Sequence, residues 1–320
     1  MKWSAIAGAI LWSILVAANL AGAADLTLIE LLLLMAPLVV VPLGIGLVFD
    51  AQSVRTLPRF VRLVLNAQFP CAVLGLASFF LAPGKEAAWL AAAWLLSCAL
   101  LNLCSLLWIL RHRPNWLDAA TLALSHLYLL IGSVWLVTSR AGLSPMGFQE
   151  PIVLLTAIHF HYAGFAAPIL AKVTNAGMAK RGRTASSLLV LVTLGILAGP
   201  GLLAIGFVTE PQVKLMAAAL VALSEIGLGC FLFKTLFVQG SATGKAFLGF
   251  SAASVFFTMA LVIAWSVGEY RREPILDLYQ MEQLHGTSNA LGFILCGLLG
   301  WTLSRNAGNL VRKKLTGGRG

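Results

Sequence analysis

His126, His159, His161, Tyr162, Glu225, His285 and Asn289 each set an ionisable or hydrogen-bonding head in an apolar stretch of chain. Histidine exchanges a proton near neutral pH, and a neighbouring carboxyl can relay it. The same side chains can also hold a metal ion or a haem iron. His159 and His161 stand one residue apart in TAIHFHYAGFAAPILA (156–171), with Tyr162 directly behind them. Residues two apart on a helix point about 200° away from each other, so the two histidines take different faces. His159 aligns with Thr156 and Tyr162, and His161 with Ala157, Gly164 and Phe165. The more polar face is that of His159. It is therefore expected to look into a cavity while His161 meets a neighbouring helix.

The other candidates lie on three further segments. His126, in LALSHLYLL, shares a stripe with Ala119, Ala123 and Ser133, small residues that permit close helix approach. Glu225, in ALSEIGLG, shares a stripe with Ala218, Ala222 and Gly229, and a carboxylate there needs a partner. His285 and Asn289, in LHGTSNALGF, are four apart and stack on one face. Beside them Ser288, Gly292, Cys296 and Gly300 form a small-residue seam for packing. His112 sits between Arg111 and Arg113 in a loop, and Glu30, Asn66, Gln68 and Asn102 read as structural.

The elements that position these residues are membrane helices. The chain has 320 residues, 59% of them hydrophobic and only 11% charged, with a mean hydropathy of +0.91. Soluble domains carry about 25% charged residues. Apolar runs of about 20 residues, enough to cross about 30 Å of hydrocarbon, recur along the sequence. Ten spans are predicted, at 4–24, 26–49, 63–82, 87–110, 117–137, 151–171, 186–208, 213–233, 246–267 and 284–304. The expected fold is all-α, a polytopic transmembrane helix bundle forming a single integral membrane domain over 1–320. The first span is longer than the apolar core of a signal peptide, and a retained helix is expected.

The net charge of +10 reports topology rather than a nucleic-acid partner. Across the ten spans 17 of the 22 Lys and Arg residues fall on one side, including Arg55, Arg59, Arg62, Lys180, Arg181, Arg183 and the basic tail. Positive charge is retained in the cytoplasm, so both termini are expected there. The five cysteines all lie within spans without a CxxC pair, which leaves them as packing residues. The longest loops are 172–185 and 268–283, the second a solvated connector or an interfacial lid. Pro37 and Pro42 interrupt the second span, and Gly199-Pro200-Gly201 the seventh, the corresponding places in two sets of five helices. Paired broken helices are a transporter layout. Pro168 in the sixth span falls outside that symmetry, and prolines are common in membrane helices in any case.

The stretches HFHYAGFAAPILA and LHGTSNALGFILCGLLGW (284–301), with the multispan layout, resemble the YndJ-like family of bacterial integral membrane proteins. The resemblance implies that His159, His161, Tyr162, Gly164, Phe165, His285, Gly286, Asn289 and Gly292 are signature positions. It also implies residence in the bacterial cytoplasmic membrane. Family members are sometimes labelled transporters, and some carry a further soluble portion. The resemblance implies no particular reaction.

Two chemistries are open to these residues. One is a proton-linked small-molecule transporter or proton relay through His126, His159, His161 and Glu225, with Tyr128 and Tyr162 completing the hydrogen-bond chain. The other is a haem or metal site in a redox or lyase-type membrane protein. It would draw on His126 with His159 or His161, and on Glu225 or His285 as a third ligand. A purely helix-locking role is the remaining possibility. The partners expected are the lipid bilayer and a small molecule or proton.

Overall fold

The computed structural model describes residues 2–49, 58–179, 187–237 and 240–305. The loop positions Arg55, Lys180, Arg181 and Arg183, and the tail beyond Arg305, lie outside the described residues. Among the described residues the protein is all-helical, and ten helices are long and apolar enough to cross a membrane. They are α1 (Trp3–Leu20), α2 (Leu28–Val48), α3 (Arg59–Phe80), α4 (Lys85–His112), α5 (Trp116–Arg140), α6 (Ile152–Met178), α7 (Ser187–Phe207), α8 (Pro211–Thr235), α9 (Ala242–Arg271) and α10 (Leu278–Arg305). Every expected span is present, and most extend a few residues further than hydropathy suggests.

Local signals account for those ends. Asn115 caps α5 by accepting from the Asp118 N–H, and Ser241 caps α9 through the Gly244 N–H. The Asp277 side chain accepts from the Gln280 N–H, and the Gln280 side chain accepts from the Asp277 N–H. This capping box starts α10 at Leu278, six residues ahead of the predicted span. At the other end of the connector α9 runs on to Arg271, so the loop expected over 268–283 shrinks to 272–277. Gly199-Pro200-Gly201 does not break its span, because α7 is one α-helix from Ser187 to Phe207. Gly199 instead lets Val221 of α8 approach closely.

The helices group into two compact units, Met1–Ile169 and Leu170–Gly320, with the boundary inside α6. Within each unit consecutive helices pack as antiparallel hairpins, α3 on α4 and α4 on α5 in the first, α7 on α8 and α8 on α9 in the second. In lipid there is little hydrophobic drive between helices, so burial marks the helices the bundle encloses. The most apolar stretch of α2 is 89% buried and that of α6 72%, against 17% for α1. The sequence of α2, LIELLLLMAPLVVVPLGIGLV, is apolar all round, as an enclosed helix requires. By contrast α1 turns Trp3, Ile6, Ile10 and Ile14 outward, as a lipid-facing helix does.

Candidate functional site

The first unit is organised around irregular backbone in its two most enclosed helices. In α2, residues Ala36–Val40 are π-helical, and the Val41 N–H reaches back five residues to Ala36 O. In that register the next donor, residue 42, would meet Pro37 O, but Pro42 has no N–H. The Pro37 carbonyl is taken instead by Gln68 Nε2 of α3, at 2.7 Å. Five residues earlier the pattern repeats. The Ala36 N–H bonds Leu33 O rather than Leu32 O, and Pro37 cannot donate. Tyr162 of α6 donates its hydroxyl to Leu32 O, at 2.7 Å. Two prolines thus release two carbonyls one wide turn apart, and two side chains from other helices hold them. The Leu38 carbonyl, which residue 42 would meet in α-helical register, lies directly against Gly8 of α1, where any Cβ would collide with it.

The same device recurs in α6. Residues Phe160–Ala166 are π-helical, the Ala167 N–H reaches Tyr162 O, and Pro168 follows at the next position. That register would pair residue 168 with Ala163 O, and proline supplies no donor. The widened turn also relieves the clash of each proline ring with the carbonyl four residues before it. The two interrupted helices pack side by side. Gly44 of α2 receives the Phe165 ring, and Tyr162 reaches Leu32. Irregular backbone at membrane depth is tolerated where protein encloses it, which is the position of both segments.

His161 lies in this π-segment, fully buried. Its Nε2 accepts from Trp94 Nε1 of α4 at 3.0 Å, and its Nδ1 lies 2.8 Å from Ala157 O. An indole nitrogen only donates, so Nε2 is the acceptor and the proton of the neutral ring sits on Nδ1, donating to Ala157 O. Both ring nitrogens are therefore engaged, and the indole plane lies at 21° to the imidazole. His159 is partly exposed and meets the Phe160 ring edge-on at 5.7 Å. His126, buried on α5, has Nδ1 2.8 Å from Leu122 O and lies edge-on to Phe165 at 5.5 Å. Tyr128 stacks on Phe160 at 5.6 Å.

The structure brings Tyr162 and His161 onto one wide turn but does not bring His126 to them. Antiparallel α5 and α6 set Gly132 against His161, Tyr128 against Gly164 and His126 against Phe165. His126 is thus six residues from the level of His161, about 9 Å along the helix. Two histidines ligating one iron or zinc would need their nitrogens within about 4–5 Å of each other, given metal–nitrogen bonds of about 2 Å. Among the described residues no group of three or more His, Cys, Asp or Glu is placed to hold a metal ion.

Glu225, His285 and Asn289 belong to the second unit. Glu225 is buried on α8, and its Oε2 has no hydrogen-bond partner among the described residues. His285 lies seven residues inside α10, which starts six residues ahead of the predicted span, with Nδ1 3.2 Å from Thr258 O of α9. The backbone here is also π-helical, over Met281–Gly286 and Ser288–Leu295. Asn289 Oδ1 is buried without a partner among the described residues. The small-residue seam packs as its spacing predicts, Gly292 against Ser254 and Gly300 against Leu248.

Two contributors to the first unit's site carried weaker sequence signals. Trp94 is a tryptophan in the middle of a span, whose N–H must find an acceptor once buried. Gln68 reads as structural, and it is so, as the donor that completes α2. Glu30 is structural too, accepting from the Thr27 N–H in a capping box.

The model of the family described as "YndJ-like protein" matches residues 31–293. The protein named "Uncharacterized membrane protein YndJ" of Bacillus subtilis (strain 168) is 30% identical over 285 residues. That alignment covers 88% of this chain and 50% of the relative, so the chain spans about half the length of the curated relative it matches. No solved structure matches the chain. With the family model matching most of the chain, including the first signature stretch and the opening of the second, this multi-pass membrane protein belongs to the YndJ-like family.

Proposed function

We propose that the protein is a proton-linked small-molecule transporter or proton relay of the bacterial cytoplasmic membrane, working as one membrane domain with both termini in the cytoplasm. The observation that carries this reading is the pair of enclosed, proline-interrupted helices, α2 and α6. The carbonyls of Leu32 and Pro37 are held by the exchangeable donors Tyr162 and Gln68 rather than by their own helix. Displacing either donor would present a carbonyl to a substrate or coupling ion without unwinding a regular helix. Broken helices near the midplane serve this role in secondary transporters. Tyr162 places an exchangeable hydroxyl proton at the Leu32 carbonyl, and the titratable ring of His161 lies next to it in sequence on the same wide turn.

The haem or metal reading draws less support, because both nitrogens of His161 are engaged and His126 lies at another level. Purified protein reconstituted in liposomes with an internal pH-sensitive dye tests the transport reading. Under an imposed proton gradient, internal pH is expected to change faster than in empty vesicles, either unaided or on addition of one class of small solutes. No acceleration with any solute class, together with a Soret band or stoichiometric metal in the same sample, would replace this reading with the haem or metal one.

A further inference from the structure

Two cysteines that no sequence motif joins meet where α3 packs on α4. Gly75 of α3 lies directly against the Cβ of Trp94 of α4. The two helices pack as an antiparallel hairpin. One turn along each from that contact, Cys71, four residues before Gly75, stands opposite Cys98, four residues after Trp94. The electrostatics agree with the register, because Cys71 is among the groups that act on the Cys98 thiol. Gly75 has no side chain to hold the backbones apart, which matters because a disulfide spans Cα atoms only about 4.4–6.8 Å from each other. Both thiols are free, Cys98 fully buried and Cys71 half-buried, so Cys71 is the open side of the pair.

Cys98 is hydrogen-bonded with Ser133 of α5. The Ser133 hydroxyl already donates to Leu130 O at 2.7 Å, so the Cys98 S–H is the donor and the Ser133 oxygen accepts. Ser133 adjoins Gly132, against which His161 packs, and Trp94, the donor to His161, is one turn from Cys98. The thiols therefore lie beside the hold on His161. Paired thiols can take a soft metal ion or close into a disulfide. Among the described residues no third His, Cys, Asp or Glu joins them for a metal ion. A monovalent soft cation on two thiolates alone would leave a net negative charge at membrane depth. No Lys or Arg lies within six residues of Cys71, Cys98 or Ser133 along the chain to offset it. Dithiol and disulfide are both uncharged, and that difference decides for redox chemistry.

We propose that Cys71 and Cys98 are a dithiol redox pair that closes into a disulfide between α3 and α4, with a quinone dissolved in the lipid as its oxidant. The two S–H bonds break and one Sγ–Sγ bond forms. Two electrons and two protons pass to the quinone, which leaves as quinol. A lipid-soluble oxidant suits the place, since Cys71 is twelve residues into α3 and Cys98 thirteen into α4, each near the middle of its span. Closure withdraws the S–H from Ser133 and ties α4 to α3 one turn from Trp94. The redox state of the lipid thereby reaches the helix that holds His161. The pair has its own geometry and does not depend on the proton-linked reading above.

The test uses the full-length wild-type protein in lipid vesicles, treated with a short-chain ubiquinone and then denatured in a thiol-blocking maleimide. Mass spectrometry of the digest is expected to show a peptide linking Cys71 to Cys98, absent before the quinone and reversed by dithiothreitol. One quinol should form per disulfide, and Cys104, Cys230 and Cys296 should stay maleimide-labelled. In Cys71→Ser the Cys98 thiol should remain free and no quinol should form. Both cysteines still free in the wild type, or either one linked elsewhere, would overturn the pair. Closure by copper–phenanthroline but not by the quinone would overturn it as a redox pair of the membrane. If the linkage forms but liposomes show no proton flux with any solute, the transport reading fails and the pair stands.

Discussion

His161 is held from both sides, by Trp94 Nε1 on one nitrogen and Ala157 O on the other. A buried ring so satisfied fixes the distance between α4 and α6, and removing one partner should cost the desolvation of the other. Trp94→Phe keeps an aromatic ring but deletes the N–H, leaving Nε2 of His161 buried without a donor. The expected loss is about 1–3 kcal/mol of stability, measured by denaturant unfolding in mild detergent. Unchanged stability would mean that the bond to Trp94 contributes nothing. Part of this was legible from residue types alone, since spacing places His159 and His161 on different faces and His161 does meet a neighbouring helix. The identity of the neighbour was not legible, because Trp94 and His161 are 67 residues apart and no local pattern joins them. The start of α10 lies ahead of the predicted span for a related reason. Hydropathy begins to rise near Leu284, whereas the helix begins at the polar Asp277–Gln280 capping box.

At the scale of the helix, α2 depends on two groups that are not its own. Its prolines at 37 and 42 are five apart, the spacing of a π-turn, so the carbonyls of Leu32 and Pro37 both lose their donors. This predicts a coupling that a double-mutant cycle can read. In the wild type, Gln68→Leu leaves Pro37 O unsatisfied and should cost about 1–3 kcal/mol. In a Pro42→Ala background, residue 42 regains an N–H that can bond Pro37 O, and the same substitution should cost about 1 kcal/mol less. Additive effects would show that Gln68 does not compensate for Pro42. The prolines were visible in the sequence, but which of them interrupt a helix was not. Pro200 sits in a continuous helix beside a glycine used for packing, whereas Pro42 and Pro168 each follow a π-segment.

Across the described residues ten helices are long and apolar enough to cross a membrane, an even number, and ten crossings put the two ends of the chain on the same side. The distribution of Lys and Arg predicts that this side is the cytoplasm. Reporter fusions at the two ends that function only in the cytoplasm should both be active, and a periplasmic reporter at either end should be silent. Opposite results at the two ends would mean that one of the ten helices does not span. Ten spans are legible in a single sequence because each crossing demands about 20 apolar residues whatever its tertiary neighbours. The grouping of helices into two units is not legible in this way, since it depends on which faces pack and hydropathy does not encode faces.

The proposed proton-linked pathway centres on two interrupted helices, α2, whose Leu32 and Pro37 carbonyls are held by Tyr162 and Gln68, and α6, which carries Tyr162. Its most direct test is the rate at which a proton gradient collapses in liposomes containing wild-type protein, Tyr162→Phe or Pro42→Ala, with folding checked for each. The account predicts that the wild type dissipates the gradient faster than empty vesicles. It also predicts that each variant slows this severalfold, because each alters the hold on a carbonyl of α2. Wild-type vesicles no leakier than empty ones with every solute class tried, or folded variants that match the wild type, would contradict it.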